Sequence, residues 1–294
     1  MEIQVQQNVS LKEFNTFRVG GPVRYFGRAQ NWQTMLALRE FAKQQGVPYI
    51  VLGGGSNVLF ADDGYLGLVI LNQMGKIVFQ GNTVTAESAV STSKLVMIAA
   101  EQNLGGFSGM ANVPGSIGGA VYGNAGVPDR CIADFFLHAE ILPEKANKPI
   151  IVGPDYAKFS YRNSHFKETK DIILSATFKL KKMPVGLIKK EISGYIKARI
   201  QKQPVGLTCG SFFKNPGTFP SAGWLIEQSG CKGMSVGDAE VSQKHANWIL
   251  NKGNATASDI INLALQVHRK VKEDHGVDLE PEVQILPENP FKKK

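Results

Sequence analysis

Three stretches of this 294-residue chain set polar groups where they could do chemistry. In Gly210-Ser211-Phe212-Phe213-Lys214-Asn215-Pro216 a serine stands between a glycine and two aromatics, a setting for an exposed, held hydroxyl. It is not a Gly-x-Ser-x-Gly elbow, and no spacing ties His245 or His275 to Ser211 as the base a hydrolase needs. In Lys158-Phe159-Ser160-Tyr161-Arg162-Asn163-Ser164 an arginine lies among hydroxyls, and its planar fork suits a carboxylate. Leu279-Glu280-Pro281-Glu282-Val283 carries acids on an expected closing strand, where alternation puts Glu280 and Glu282 on one face and Val283 on the other. Each stretch also fits a plainer reading: a loop serine, a surface salt bridge, a solvated edge strand.

Two glycine tracts offer a different chemistry. Leu52-Gly53-Gly54-Gly55-Ser56-Asn57 follows the expected strand VPYIVLG. Consecutive glycines let the main chain approach an anion, and successive N–H groups can point at phosphate oxygens. The tract is neither a Walker loop, since no lysine follows, nor the spaced Gly-x-Gly-x-x-Gly fingerprint. Taken alone it fits a tight turn equally well. The second tract is Val113-Pro114-Gly115-Ser116-Ile117-Gly118-Gly119-Ala120-Val121-Tyr122-Gly123-Asn124-Ala125-Gly126. So many glycines oppose a stable helix, which leaves a bare backbone surface or a flexible loop. Two such tracts in adjacent units suit a dinucleotide such as FAD.

The elements that must position these residues read as mixed α and β. RYFGRA alternates as a strand, and Asn31 caps a helix carrying Met35, Leu36, Leu38 and Phe41, with Gly46 past its end. KIVFQ and TVTAE flank Gly81-Asn82 as a hairpin, and a helix is expected from about Ser91 to Gln102. FFLHAEILPE and IILSATFKLKK are long strands. Thr256 and Asp259 start a helix with Ile260, Leu263, Ala264, Val267 and Val271 on one face and Gly276 at its end. DLEPEVQIL is the expected closing strand. The pattern divides at about 1–73, 74–185 and 186–290, with a break near 183–190 and a solvated basic tail over 291–294. Composition is that of a globular protein, and no apolar run approaches the ~20 residues that span a bilayer. No export signal is visible, and three scattered cysteines, Cys131, Cys209 and Cys231, oppose a disulfide framework or a metal site. A reducing cytoplasm, no membrane insertion and no bound metal are expected. The net charge of +8 suits anionic small ligands. The one mildly basic stretch, KKEISGYIKARIQK, reads as the polar face of a helix, so no nucleic acid is expected.

In combination the motifs NTFRVGGP, LGGGSNVL, VPGSIGGAVYGNAG, YRNS, GSFFKNP, SAGWLIEQSGCKG, KHANWILN and LEPEV, in that order, make the chain similar to the UDP-N-acetylenolpyruvoylglucosamine reductases. The resemblance covers nearly the whole sequence and fits the shorter, type II form. It implies an α+β fold: a two-lobed FAD-binding domain of the vanillyl-alcohol oxidase type, then an α+β substrate-binding domain. It implies non-covalent FAD and NADPH as co-substrate, a UDP-sugar substrate, a monomer, and a place in peptidoglycan precursor synthesis. Arg162, Ser211 and Glu282 align with the family's catalytic groups. Gly53, Gly54, Gly55, Ser56, Asn57, Pro114, Gly115, Ser116, Gly118, Gly119, Asn124 and Ala125 fall in the cofactor tracts. Tyr161, Asn215 and Lys232 match residues that hold the nucleotide-sugar. Three departures stand out: Ser88 where a glycine turn is usual, Val127-Pro128-Asp129 after the second tract, and Gln284 in place of an arginine.

The implied reaction adds hydride to the terminal carbon of an enol ether. Charge then builds on the neighbouring carbon and its carboxylate. Arg162 meets that charge, Ser211 donates a proton to the carbon, and Glu282 assists only when protonated or acting through a donor. Two other readings fit the motifs less fully: a flavin oxidase of the same fold, and a non-catalytic nucleotide-sugar binding protein. Flavin bleaching by NADPH without oxygen separates the first, and a yellow purified protein argues against the second.

Overall fold

A computed structural model describes residues 3–217 and 219–291, so Lys292, Lys293 and Lys294 of the expected basic tail lie outside the described residues. The chain forms two compact units that do not follow sequence order. One comprises Met1–Gln6, Phe26–Gly54 and Gly67–Arg199; the other comprises Gln7–Tyr25, Gly55–Leu66 and Ile200–Lys294. The break expected near 183–190 contains the start of a continuous helix, Val185–Lys202, and the division into units falls at Arg199/Ile200.

In the first unit, helix Trp32–Gln44 begins where the Asn31 side chain accepts the Thr34 N–H at 2.9 Å. It buries Met35, Leu38 and Ala42, and also Arg39, which is fully buried. That guanidinium donates to the carbonyls of Pro143 at 2.7 Å and Ala146 at 2.6 Å, so its charge is hydrogen-bonded rather than stranded. The chain then enters strand Tyr49–Leu52, parallel to Tyr65–Asn72 with Leu52 opposite Leu71, and emerges at Gly53. A five-stranded antiparallel sheet runs in the order Ile150–Val152, Phe136–Leu142, Ile172–Lys179, Thr83–Glu87, Ile77–Gln80. Its last two strands turn through Gly81, at φ +61°, and Asn82. Helix Thr92–Glu101, capped by Ser91, covers a core that includes Val84, Leu95, Ile117, Phe136 and Phe178.

The second glycine tract departs from expectation. Glycine should oppose helix, yet Ile117–Tyr122 is helical. Ser116 caps it through the Gly119 N–H, and burial of Ile117, Ala120 and Val121 offsets the propensity cost. Pro128-Asp129, the unusual continuation, forms the tip of a small hairpin in which Val127 pairs with Arg130.

In the second unit, helix Ala257–His275 has the reciprocal cap read from sequence: Thr256 Oγ1 accepts the Asp259 N–H at 3.0 Å and Asp259 Oδ2 accepts the Thr256 N–H at 2.9 Å. Ile260, Leu263, Val267 and Val271 are buried, each contributing about 1.5–3 kcal/mol. Gly276, at φ +68°, ends the helix. A three-stranded sheet of Ser235–Val236, Ala239–Val241 and Ile249–Asn251 shares this core with helix Ala222–Gln228. The closing strand is shorter than expected: only Gln284–Leu286 pairs as strand, parallel to Val58–Phe60. Upstream of it the segment turns to a different partner, where Phe213 and Pro281 form an isolated antiparallel bridge. Among the described residues no helix is long and apolar enough to cross a membrane.

Candidate active site

Within the first unit the two glycine tracts lie against each other. A Cβ at Gly53 would stand 2.3 Å from Ser116 Oγ, and one at Gly54 would stand 3.0 Å from Gly115 Cα. Gly118 is as tight, its would-be Cβ 2.8 Å from Ser88 Cβ. Glycine is therefore required at the meeting point, because neighbouring protein atoms already occupy the space a Cβ would take, and the result is a cradle of bare main chain. Such a cradle suits the diphosphate of a dinucleotide. Ser88, the departure on this side, is buried; its hydroxyl accepts from Asn72 Nδ2 at 2.6 Å and its carbonyl accepts the Gly118 N–H at 2.8 Å. Pro114 and Gly119 are exposed beside the cradle.

Asn124 and Ala125 are committed to the frame. Asn124, at φ +43°, is buried; its Oδ1 accepts the Ala133 N–H at 3.1 Å and its Nδ2 donates to the Ser160 carbonyl at 2.9 Å. The Ala125 N–H donates to Ala120 O at 2.8 Å. Asn124 thus ties the end of the second tract to the turn that carries Arg162. In that turn Ser160 and Asn163 exchange both main-chain bonds at 3.1 Å, which leaves Tyr161 and Arg162 at the tip. Arg162 sits at φ +52°, a left-handed conformation costing a non-glycine residue about 1–2 kcal/mol. Its Nη1 donates to Gly126 O at 3.2 Å, Lys167 Nζ donates to its carbonyl at 2.7 Å, and its guanidinium lies 5.5 Å from the Tyr161 ring. Ser164 Oγ anchors the turn again on Tyr122 O at 2.7 Å. The turn thus holds Arg162 at a strained φ with its guanidinium against a main-chain carbonyl.

Within the second unit, Ser211 and Glu282 lie on neighbouring extended segments. Lys214 N–H donates to Glu280 O and Glu282 N–H donates to Phe212 O, both at 2.8 Å, so Phe213 faces Pro281 in a pair that needs no bond of its own. This is the one place in an antiparallel pair where proline costs nothing. The free side of Phe213 is taken by the buried Asn247, whose Oδ1 accepts the Phe213 N–H at 2.9 Å and whose Nδ2 donates to Phe213 O at 2.8 Å. Ser211 itself bridges to Trp248. Asn247 went unnoticed in the sequence; the signal was its place in KHANWILN, one residue before that bridge. Cys209 is buried, and burial, aided by the Glu282 carboxylate, pushes its thiol well above the ordinary range. It is thus held neutral near the acid.

Around this pair, Glu280 is an exposed partner of Lys214 at 2.5 Å. Asn57, from the first glycine tract, donates through Nδ2 to Glu282 O at 3.1 Å, and its carbonyl accepts the Gln284 N–H at 3.0 Å. Gly55 in the same tract, at φ +62°, accepts the Thr16 N–H at 3.0 Å. Ser56 is half-buried between them. Asn215 Oδ1 accepts the Ala222 N–H at 3.0 Å at the start of helix Ala222–Gln228. Lys232 pairs with Glu227 at 2.6 Å. Beside them, burial lowers the His245 pKa, with Lys232 adding to the effect.

Comparison with known proteins follows the same plan. Residues 23–145 match the family described as FAD binding domain, and residues 201–286 match the C-terminal domain of UDP-N-acetylenolpyruvoylglucosamine reductase. The class is an FAD-binding fold with a reductase C-terminal domain. The reductase of that name from Acaryochloris marina is 39% identical over 289 residues, 96% of this chain and 93% of the relative. The one from Chlamydia muridarum is 37% identical over 97% of this chain and 96% of its own length. The crystal structure of the Thermus caldophilus enzyme superposes with a TM-score of 0.82 at 32% identity, covering 98% of this chain and all of that one. The chain belongs to the UDP-N-acetylenolpyruvoylglucosamine reductase family.

Proposed function

We infer that this chain reduces the enolpyruvyl double bond of UDP-N-acetylglucosamine enolpyruvate to give UDP-N-acetylmuramate, with NADPH as electron donor, in peptidoglycan precursor synthesis. The observation that carries the reading is 39% identity with a family member over 96% of the chain. Bound FAD supplies the hydride relay between NADPH and substrate. The residues that would hold it non-covalently are those of the main-chain cradle, Gly53, Gly54, Gly115, Ser116 and Gly118, with Gly55, Ser56, Pro114 and Gly119 beside them and Asn124 and Ala125 supporting the frame, while Asn57, at the end of the first tract, is bonded to the Glu282 segment.

The chain's own residues then manage charge and protons. Arg162 offers a fixed fork to the substrate carboxylate, and its strained, braced backbone limits the reorganisation needed as charge grows there. Ser211 gives its hydroxyl proton to the carbon next to that carboxylate. Glu282 assists at the same charge through a donor that it positions. Tyr161, Asn215 and Lys232 hold the nucleotide-sugar, and Lys232 needs only to exchange its exposed Glu227 partner for a phosphate.

We assign the FAD-binding lobes, of the vanillyl-alcohol oxidase type, to 1–73 and 74–185 and the substrate domain to 186–290, with Gln7–Tyr25 and Gly55–Leu66 belonging to the same compact unit as the substrate domain and 186–199 to the other. The protein is taken to act as a cytoplasmic monomer without nucleic-acid partners, so gel filtration should give one species near 32.0 kDa. Two spectra test the activity. Without oxygen, NADPH should bleach the flavin and the enolpyruvyl substrate should restore its colour; failure of the second step rejects the assignment. Arg162→Lys should slow recolouring while bleaching stays nearly normal. Unchanged recolouring would return Arg162 to a surface role.

A further inference from the structure

We propose that Asn57 is a positioning residue that fixes the main chain of Glu282, so that the first glycine tract steadies this acid as well as serving the cofactor. The proposal rests on the role given to Glu282 above. Both main-chain groups of Glu282 are held within the second unit. Its N–H donates to Phe212 O at 2.8 Å, beside Ser211, and its carbonyl accepts from Asn57 Nδ2 at 3.1 Å. Two residues on, the Gln284 N–H donates to Asn57 O at 3.0 Å, and the parallel pairing runs from Gln284 opposite Val58 to Leu286 opposite Phe60. The Asn57 side chain therefore adds a bond upstream of the point where the strand's own pairing begins. It reinforces the stretch between the Phe213–Pro281 bridge and the parallel strand.

Asparagine suits this task for a specific reason. Its amide supplies a donor to the Glu282 carbonyl while its main-chain carbonyl takes the next N–H, so one residue grips the segment twice. The tract behind it is pinned, because Gly55 O accepts the Thr16 N–H at 3.0 Å and a Cβ on Gly55 would fall 2.0 Å from Phe14 O. With both flanking peptides held, the backbone of Glu282 is fixed on either side of its Cα. Loss of the grip lets the Glu282–Val283 peptide rotate, and displacements near 1 Å in a reacting constellation are costly. A direct cofactor contact by Asn57 would instead show in FAD affinity.

Asn57→Ala removes the donor, Asn57→Asp removes it at constant shape, and Asn57→Gln restores it. In FAD-free protein, amide hydrogen exchange at Glu282, Val283 and Gln284 should accelerate at least about tenfold in the alanine and aspartate variants, the scale of one lost hydrogen bond, with helix Ala257–His275 unaffected. In the FAD-loaded enzyme, flavin reduction by NADPH should stay within about twofold, while reoxidation by the enolpyruvyl substrate should slow about tenfold and recover in large part with glutamine. Unchanged exchange and reoxidation would overturn the proposal. So would weakened FAD binding with both half-reactions slowed alike, since Asn57 would then serve the cofactor. If the wild-type flavin is not reoxidised by that substrate, the functional reading fails, while the exchange experiment still decides whether Asn57 holds Glu282.

Discussion

The glycine cradle of the first unit and the serine segment of the second are made in opposite ways. At Gly53, Gly54 and Gly118 the structure works by leaving atoms out, and a Cβ would meet a neighbour within about 3 Å. Backbone conformations in this unit are unusual too: Gly115 in the cradle at φ +123°, and beyond it Asn124 at +43° and Arg162 at +52°. At 211–214 and 280–284 the structure works by adding bonds, from Asn247, Asn57 and paired main-chain groups. A cradle defined by space should fail when an atom is added. A segment defined by hydrogen bonds should keep its shape when a side-chain atom that makes none of them is removed, and lose only the chemistry of that atom.

The largest expected effect tests the second half of that contrast. Ser211→Ala removes one oxygen, yet the bonds that hold the segment are made by Phe212, Phe213 and Lys214. Folding, FAD content and flavin reduction by NADPH should be normal, while reoxidation by the enolpyruvyl substrate slows at least ~10²-fold, the usual scale for a positioned acid. Stopped-flow absorbance of the two half-reactions separates the outcomes. Equal slowing of both would mean that the side chain shapes the segment after all; unchanged reoxidation would move the proton to another donor.

Adding one carbon to the cradle should come next. Gly118→Ala puts a Cβ 2.8 Å from Ser88 Cβ, and overpacking of this kind costs about 1–3 kcal/mol. FAD affinity, read by titrating FAD-free protein, should fall about tenfold or more. Ser88→Gly in the same chain removes the opposing Cβ and should recover most of the loss, although it gives up the bond from Asn72. No loss in the single variant, or no recovery in the double, would mean that space between these two residues does not set the cradle.

What could be read in advance divides along the same line. Patterns carried by periodicity and by local caps were legible: the alternation of Glu280 and Glu282 against the buried Val283, the Thr256–Asp259 cap, and the Gly81-Asn82 hairpin. So was the importance of the glycines, although their spacing concealed a short helix whose stability comes from burying Ile117 and Val121. What stayed hidden depended on partners distant in sequence. Asn57 meets Glu282 across 225 positions and Arg39 meets Ala146 across 107. No local pattern announces either. Division of the chain was hidden for the same reason, since residues 7–25 and 55–66 join the C-terminal unit through contacts that sequence order does not suggest.

The smallest expected effect concerns pH, where the contrast becomes one of titration. Asp62 in the second unit accepts the N–H groups of Ala257 and Ser258, each at 2.8 Å, and the Ser258 hydroxyl at 2.6 Å. Together with the Thr256–Asp259 cap it satisfies the opening turn of the longest helix of that unit. Burial opposes ionisation of Asp62, but the Ser258 and Ala257 bonds outweigh it and hold the carboxyl below its ordinary value of 3.8. A carboxyl whose folded pKa is depressed stabilises the fold fully above the unfolded value, and loses that contribution as pH falls through the folded one. Asp62→Asn keeps the shape but offers one acceptor oxygen where two are used. It should cost about 1 kcal/mol at neutral pH, the scale of a helix cap, and no more because the site is exposed to solvent. Denaturant unfolding at neutral pH and again well below pH 3.8 should show the gap between wild type and variant closing in acid. The deficit of Gly118→Ala, which involves no proton, should persist unchanged across the same range. A gap for Asp62→Asn that survives in acid would mean that shape alone, not charge, caps the helix.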